Sequence, residues 1–286
     1  RSKAGSVPAE YRRKQTIATG ERFSTEELDG IAAKILNADE RLRALEQELF
    51  LALRKQVGAQ AARLRRLAEQ LADIDVHAAL AEVAHKHDYV RPQLDESLEL
   101  ELIEARHPVV ESVLARGSFV PNDVQLRVAD QRLMVITGPN MAGKSTTMRQ
   151  TALAVILAQA GAFVPAARAR IGLCDRIFTR VGASDNLAAG QSTFMVEMRE
   201  TANILRGASR RSLVILDEIG RGTSTYDGLS IAWAVAEYLT DVVQCRAMFA
   251  THYHELCDLA DVRRGAVNFN VAAREHGDDV IFLHRL

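Results

Sequence analysis

The chain has 286 residues, of which 48% are hydrophobic, and its 36 basic and 37 acidic side chains leave a formal net charge of −1. This length allows one large domain or two modest ones with an ample core, and the near-zero charge gives no overall basic surface for nucleic acid. Three scattered cysteines are typical of a reducing compartment without a disulfide framework. Because no apolar run approaches the length of a membrane span, we expect a cytoplasmic protein without membrane contact.

The first segment, residues 1–16, is short, polar and basic. Its composition indicates the end of a domain whose body lies upstream. The chain also begins with Arg1 and stops at Leu286, so we expect a piece of a longer protein.

Residues 24–88 have a helical pattern. Ser24 or Thr25 can cap the first turn, and apolar residues then recur every seven positions, at Leu28, Ile35, Leu42 and Leu49. A heptad pattern of this length predicts an elongated helix of roughly 50 Å, with a turn or kink at Gly58. The pattern fits a lever and a helix packed in a bundle equally well.

Residues 98–286 alternate between strand and helix patterns. Apolar runs predict strands at 98–103, 124–128, 133–137, 213–216, 247–251 and 280–283. Helical periodicity lies between them at 145–159, 193–207, 228–240 and 253–260. This order predicts an α/β domain with a mainly parallel central sheet, and Pro92 lies in the expected boundary with the helical segment.

The stretch G-P-N-M-A-G-K-S-T at 138–146 is the strongest motif in the chain. It satisfies G-x-x-x-x-G-K-[ST] with Gly138, Gly143, Lys144 and Ser145, between a predicted strand and a predicted helix. Glycines let backbone N–H groups wrap a phosphate, and the helix N-terminus favours the same anion. We therefore predict an α/β P-loop domain that binds ATP and Mg²⁺, with Lys144 on the phosphates and Ser145 on the metal.

A second apolar run ends in two carboxylates, Asp217 and Glu218. Behind a P-loop this is the Walker B pattern, in which Asp217 holds Mg²⁺, usually through water, and Glu218 polarises the attacking water. His252 follows the next predicted strand and can donate to the γ-phosphate or to that water, so we expect it to sense the phosphate.

Two further stretches suggest a site shared between subunits. Residues 187–193, L-A-A-G-Q-S-T, open a predicted helix and invite comparison with the signature loop of ABC-type ATPases, although a plain surface loop fits equally well. Residues 220–227 follow Walker B, where ABC-type ATPases have an interface segment called the D-loop. We therefore expect a homodimer formed through the ATPase domain.

Together these motifs resemble the bacterial MutS family of DNA mismatch repair ATPases. The resemblance rests on the P-loop run, F-T-R-V-G-A-S-D at 178–185, Q-S-T-F-M-V-E-M at 191–198, D-E-I-G-R-G-T-S-T-Y-D-G at 217–228 and A-T-H-Y at 250–253. Residues 7–16 are similar to the family's junction between its DNA clamp and the returning lever helix. The similarity covers essentially the whole chain.

The resemblance implies further roles. Ser192 corresponds to a serine that reaches the partner subunit's nucleotide, and Phe119 and His284 correspond to a pair that sandwiches adenine. Ala142 replaces a glycine common in the family, which would strain the loop if that position needed a positive φ. The implied nucleotide contacts include the whole P-loop, namely Gly138, Pro139, Asn140, Met141, Ala142, Gly143, Lys144, Ser145 and Thr146.

The resemblance also implies a domain plan and partners. It assigns residues 1–16 to the clamp junction, 17–97 to a lever or core segment and 98–286 to an ABC-type ATPase domain that ends early. The family's N-terminal mismatch-reading domain and C-terminal helical segment are not in this sequence. The implied partners are duplex DNA in the full-length protein and a MutL-type protein.

Three alternatives stay open from the sequence. The chain could belong to another ABC-type DNA-maintenance ATPase with coiled arms, although L-A-A-G-Q departs from that group's L-S-G-G-Q. It could be a clamp-less MutS paralogue, which usually has threonine in place of Met141. It could also be a dimerisation and lever module with little ATP turnover. Arginines along the helices, such as Arg63 and Arg66, are more typical of a solvated face than of a DNA contact.

Overall fold

A computed structural model describes residues 7–17, 20–181, 193–276 and 279–286. The chain forms two compact units, Arg1–Asp75 and Val76–Leu286. The predicted domain boundaries after residues 16 and 97 stay predictions.

The first unit contains a hairpin followed by a long helix. Strands β1 (Arg12–Ile17) and β2 (Gly20–Ser24) pair antiparallel, and helix α1 spans Glu26–Ala59. Thr25 caps α1, because its side chain accepts a hydrogen bond from the backbone N–H of Leu28 at 3.1 Å. The predicted helix is confirmed, and no residue of α1 is buried. Helix α2 (Ala61–Lys86) begins after a break at Gln60, two residues beyond the predicted position at Gly58.

The second unit is an α/β fold. Its strands are β3 (Gln93–Asp95), β4 (Glu99–Ala105), β5 (Asn122–Arg127), β6 (Gln131–Thr137), β7 (Arg168–Gly172), β8 (Ile177–Arg180), β9 (Leu213–Asp217), β10 (Arg246–Ala250), β11 (Gly265–Asn270), β12 (Ala273–His276) and β13 (Asp279–Phe282). Its helices are α3 (Pro108–Val113), α4 (Lys144–Gln159), α5 (Thr193–Gly207), α6 (Thr225–Glu237) and α7 (Leu259–Val262). A π-helical turn, Tyr238–Val243, extends α6, and a 3₁₀ turn, His254–Asp258, precedes α7.

The central sheet has nine strands and is mixed. Strands β11, β6, β10, β9 and β8 are neighbours that all run parallel. On the other side β7, β4 and β5 pair antiparallel, and the β5–β6 hairpin joins the two parts. The prediction of a mainly parallel sheet therefore describes one part of a mixed sheet. The six predicted strands are present with ends shifted by up to two residues, and three of the four predicted helices are present with ends shifted by up to three. The fourth, predicted at 253–260, is a 3₁₀ turn at His254–Asp258 followed by the four-residue α7.

Apolar side chains cover both faces of the parallel part. In β6, Met134 and Ile136 belong to the core cluster that contains α4, whereas Leu133 and Val135 belong to the cluster that contains α6. Strands β9 and β10 alternate between the two clusters in the same way. This alternation follows from the two-residue period of a strand, and burial of both faces explains why these strands read as continuous apolar runs.

Parallel strands place their following loops at one edge of the sheet. The loops after β6, β9 and β10 all leave the carboxyl ends of adjacent strands. This edge is where open α/β sheets bind ligands. None of the helices in the described part of the chain is long and apolar enough to cross a membrane.

Candidate functional site

The loop between β6 and α4 contains three residues with positive φ. Gly138 has φ +134°, and a Cβ there would lie 2.9 Å from the carbonyl oxygen of Val271, so the position admits only glycine. Gly143 has φ +109° and caps α4. Met141 also has positive φ, +66°, and is 85% exposed. Ala142 is buried and is not among the residues with positive φ, so replacement of the family's glycine produces no backbone strain.

Lys144 lies against the loop that it follows. Its side chain is 5% exposed, and Nζ donates to the carbonyl oxygens of Gly138 at 2.6 Å and Pro139 at 3.1 Å. Burial lowers the pKa of Lys144, while the nearby carboxylates of Glu218 and Asp217 oppose that shift. The ammonium group is therefore held within the loop and close to both predicted Walker B carboxylates.

Asp217 carries a buried oxygen without a partner. Its Oδ1 has no hydrogen-bond partner among the described residues. An unpaired buried carboxylate oxygen is costly, and an oxygen ligand of this kind suits Mg²⁺. Ser145, in the first turn of α4, carries a hydroxyl group and lines a cavity beside the loop. Asp217 and Ser145 therefore offer oxygen atoms of the kind that Mg²⁺ prefers, and their assignment as its ligands stays a prediction.

Glu218 has an unusual backbone. Its φ is +57°, in the left-handed region, and its N–H donates to the carbonyl of Ala250 on the next strand at 2.9 Å. The side chain is 17% exposed and forms an ion pair with Arg221, with Oε2 2.8 Å from Nη1. A non-glycine residue in this region stores strain, which is common at functional sites. Glu218 also lines the cavity that opens beside the loop.

His252 follows β10 and lies within electrostatic range of the same groups. Burial lowers its pKa, as do the positive charges of Arg221 and Lys144, whereas Glu218 raises it. The imidazole also contacts the ring of Tyr253 in a tilted arrangement, with centroids 4.0 Å apart and an angle of 40° between the ring planes. A lowered pKa keeps the ring neutral near pH 7, so it can donate one hydrogen bond and accept another.

A cavity of about 470 Å³ opens beside the loop. Lys144, Ser145 and Glu218 line one part of it, and Phe119 and His284 line another. The His284 ring is fixed to the loop, since its Nδ1 lies 3.0 Å from the carbonyl oxygen of Ala142. The structure thus brings Phe119 and His284 to one cavity, although they are 165 positions apart in the sequence.

Asn122 holds the chain around His284 and was not predicted. Its buried side chain donates to the carbonyl of His284 at 2.8 Å and accepts from the N–H of Leu286 at 2.7 Å. No sequence pattern marks an asparagine at the start of a strand as a tether to a segment 162 positions away. Arg221, which pairs with Glu218, was also not predicted as a site residue, although it lies in the predicted D-loop segment.

Other predicted features lie outside the described residues. Ser192 and the signature-like stretch before it, 187–191, are not described, so their predicted role stays a prediction. Helix α5 is described from Thr193 onward, as predicted.

Two models of known protein families match this chain. Residues 134–286 match the model of MutS domain V, and residues 1–41 match that of MutS family domain IV. The chain belongs to the MutS family. Its family membership agrees with the resemblance carried by the motifs.

Individual relatives extend the similarity over the whole chain. The chain is 62% identical over 286 residues to the DNA mismatch repair protein MutS of Sorangium cellulosum, covering 100% of this chain and 31% of that protein. It is 57% identical over 280 residues to the protein of the same name from Symbiobacterium thermophilum, covering 98% and 32%. It is 61% identical over 289 residues to that of Anaeromyxobacter dehalogenans, covering 98% and 33%. The chain thus spans about a third of the length of these relatives.

Proposed function

We propose that this MutS-family chain is a P-loop, ABC-type ATPase that converts ATP and water to ADP and phosphate with Mg²⁺. The observation that carries the proposal is the meeting of Lys144, Ser145 and Glu218 on one cavity, with the unpaired oxygen of Asp217 close by.

The chemistry follows from these side chains. ATP places its phosphates in the loop, where backbone N–H groups and the N-terminus of α4 favour negative charge. Lys144 exchanges its two carbonyl partners for phosphate oxygens, which are stronger acceptors because they are charged. When bound, Mg²⁺ would neutralise charge on the phosphate oxygens, with Asp217 and Ser145 holding it.

Hydrolysis requires an oriented water. In the proposed step, the water oxygen attacks the γ-phosphorus, the bond between that phosphorus and the ADP oxygen breaks, and the water proton is passed on to phosphate. Glu218 orients and polarises the water, and His252 donates to the γ-phosphate and so responds to its presence. Phe119 and His284 hold the adenine between them, since stacked rings bind a base on both faces.

We further propose that the working site is shared by two copies of the chain. Ser192 of one subunit would reach the γ-phosphate bound by the other, so ATP would join the two ATPase domains. Helices α1 and α2 would carry that change to a clamp on duplex DNA, and a MutL-type protein would respond to it. Binding of ATP can shift such an equilibrium only through contacts that differ between the two states. The relatives' name supports DNA mismatch repair as the process.

ATP-analogue binding tests the site itself. Lys144→Ala removes the charged donor, and loss of a charge-assisted hydrogen bond of about 1.5–3 kcal/mol should weaken binding of a fluorescent, slowly hydrolysed ATP analogue by about 10- to 100-fold. Lys55→Ala, the same change at an exposed position of α1, is the matched control and should bind like the unmodified chain. Equal affinity of both variants would refute the proposed site.

Turnover against protein concentration tests the shared site. A composite site predicts that activity per subunit rises with concentration until the dimer is saturated. Activity per subunit that stays flat over the same range would favour a self-contained ATPase of another ABC type. Negligible turnover at every concentration, with dimers present, would favour a dimerisation and lever module.

A further inference from the structure

The backbone of Gly220 forms hydrogen bonds with two buried side chains, one at its N–H and one at its carbonyl oxygen. Its N–H donates to Oε1 of Glu197 on α5 at 2.6 Å, and its carbonyl oxygen accepts from the hydroxyl of Tyr253 at 3.0 Å. Glu197 and Tyr253 come from different parts of the chain, 23 and 33 positions away. Both groups are buried, so these two hydrogen bonds are shielded from water.

The surrounding backbone leaves no room for a side chain at Gly220. Gly220 has φ +93°, and a Cβ there would lie 2.6 Å from the carbonyl oxygen of Gly228 in α6. A Cβ on Gly228 would overlap both the Tyr253 hydroxyl and the Gly220 carbonyl. The turn after β9 is therefore packed directly on the first turns of α6 and on Tyr253.

The carboxylate of Glu197 is buried and accepts a hydrogen bond from the backbone. Its side chain belongs to a residue that is 5% exposed, and burial of a carboxylate is unfavourable unless it is well paired. The described contact that satisfies it is the N–H of Gly220. A charged acceptor binds an N–H more strongly than a neutral one. Burial, and then the charge of Glu197, raise the pKa of Tyr253, so its hydroxyl stays a donor.

Gly220 is linked to both groups that are proposed to act on the γ-phosphate. Glu218 is two residues earlier, in a strained left-handed conformation. Tyr253 directly follows His252 and contacts its ring. A shift of the Gly220 peptide would therefore turn the Glu218 carboxylate and disturb the support of His252 at the same time.

We propose that Glu197 and Tyr253 are positioning residues for ATP hydrolysis, which hold Glu218 and His252 through the backbone of Gly220. This inference rests on the proposed ATPase function. Because Glu197 lies on α5, a displacement of that helix would move the turn at Gly220 and, with it, Glu218. Neither residue lines the cavity, so nucleotide affinity should be independent of both.

Kinetic measurements on Glu197 variants distinguish a positioning role in hydrolysis from a purely structural role. In the full chain, Glu197→Ala should lower kcat by about 10- to 100-fold, the size expected from a small misplacement of a catalytic group, with KM and ATP-analogue affinity within twofold. Glu197→Gln keeps an acceptor for the Gly220 N–H and should restore most of kcat. Glu200→Ala, on the same helix but half exposed and paired with Arg180, is the matched control and should leave kcat unchanged.

Tyr253→Phe gives an independent measurement. It removes the hydroxyl and keeps the ring against His252, and it should also lower kcat without weakening analogue binding. Because both residues hold the backbone of the same residue, Gly220, the double variant should lose less than the product of the two single losses. Independent, multiplicative losses would overturn the shared mechanism.

Several outcomes would decide against the inference. Unchanged kcat in Glu197→Ala would overturn it while leaving the ATPase proposal intact. Equal losses of kcat, analogue affinity and melting temperature in both Glu197→Ala and Glu197→Gln would show a merely structural role. Absence of ATP turnover in the unmodified chain, at any protein concentration, would refute the ATPase proposal and this inference together.

Discussion

The Glu218 carboxylate pairs with the Arg221 guanidinium, with Oε2 2.8 Å from Nη1. Arg221 also lies close enough to Lys144 and His252 to lower the pKa of both. One cation thus neutralises the proposed water-orienting carboxylate and borders the proposed phosphate site. ATP phosphates carry more negative charge than Glu218, so we expect Arg221 to move to them when ATP binds.

Arg221→Ala should therefore weaken ATP-analogue binding. Because Arg221 is about half exposed, its contribution is limited to about 0.2–1 kcal/mol, which corresponds to a loss of up to about fivefold in affinity. The loss should shrink at high salt. Arg263→Ala, which removes a comparably exposed arginine paired with Glu237 and Asp241, should have no effect, and equal affinities for the two variants would contradict the exchange.

Asn122→Ala should loosen the end of the chain. It leaves the N–H of Leu286 and the carbonyl of His284 without their partner, and two hydrogen bonds of about 0.5–1.5 kcal/mol each are lost. We expect a lower melting temperature and a several-fold loss of ATP-analogue affinity, because His284 is no longer fixed over the loop. Asn268→Ala removes a single exposed hydrogen bond to Cys257 and should preserve affinity. Unchanged ATP-analogue affinity in Asn122→Ala would show that nucleotide binding does not depend on the hydrogen bonds between Asn122 and the chain around His284.

The pH response of His252 has a definite sign. Its pKa is lowered below the usual value near 6.5 by burial and by Arg221. The unfolded chain therefore binds more protons than the folded chain just below pH 6.5, so this group makes stability rise with pH across that window and decline as the solution is acidified. An NMR titration of the imidazole without nucleotide should give a midpoint below 6.5. A midpoint above 6.5 would contradict the assigned surroundings.

Asp217→Asn tests the magnesium assignment. Asparagine keeps the shape of the side chain but removes the charge from the unpaired oxygen, so about 10- to 100-fold more Mg²⁺ should be needed for half-maximal ATP turnover. Chelation by EDTA should abolish turnover in the unmodified chain, and added Mg²⁺ should restore it. An unchanged Mg²⁺ requirement in Asp217→Asn would place the metal elsewhere.

Local patterns predicted the framework of the site well. The strand Gln131–Thr137, the loop after it and helix α4 follow from apolar runs, glycine spacing and helical period over a few neighbouring residues. The carboxylates at Asp217 and Glu218 follow from the same kind of local pattern. Each of these features is encoded within about ten residues, where propensity and periodicity are informative.

Features set by distant contacts were not predictable in the same way. Strands β1 and β2 consist mostly of polar residues and are mostly exposed where their side chains are described, so they lack the alternation that marks a half-buried strand. The short strand Gly265–Asn270 is defined by its pairing with β6, which is distant in the sequence. The ties of Asn122 to His284 and of Glu197 to Gly220 join residues far apart in sequence, and no local pattern encodes such pairs.

Single-turnover ATP hydrolysis by Glu218→Gln, measured beside ATP-analogue binding, tests the central claim most directly. Glutamine fills the same space but cannot polarise the attacking water, so phosphate release should fall by about 100-fold or more while analogue affinity stays within about threefold. The control Glu237→Gln, at a carboxylate paired with Arg263, should hydrolyse ATP normally. Hydrolysis by Glu218→Gln at the unmodified rate would contradict the account.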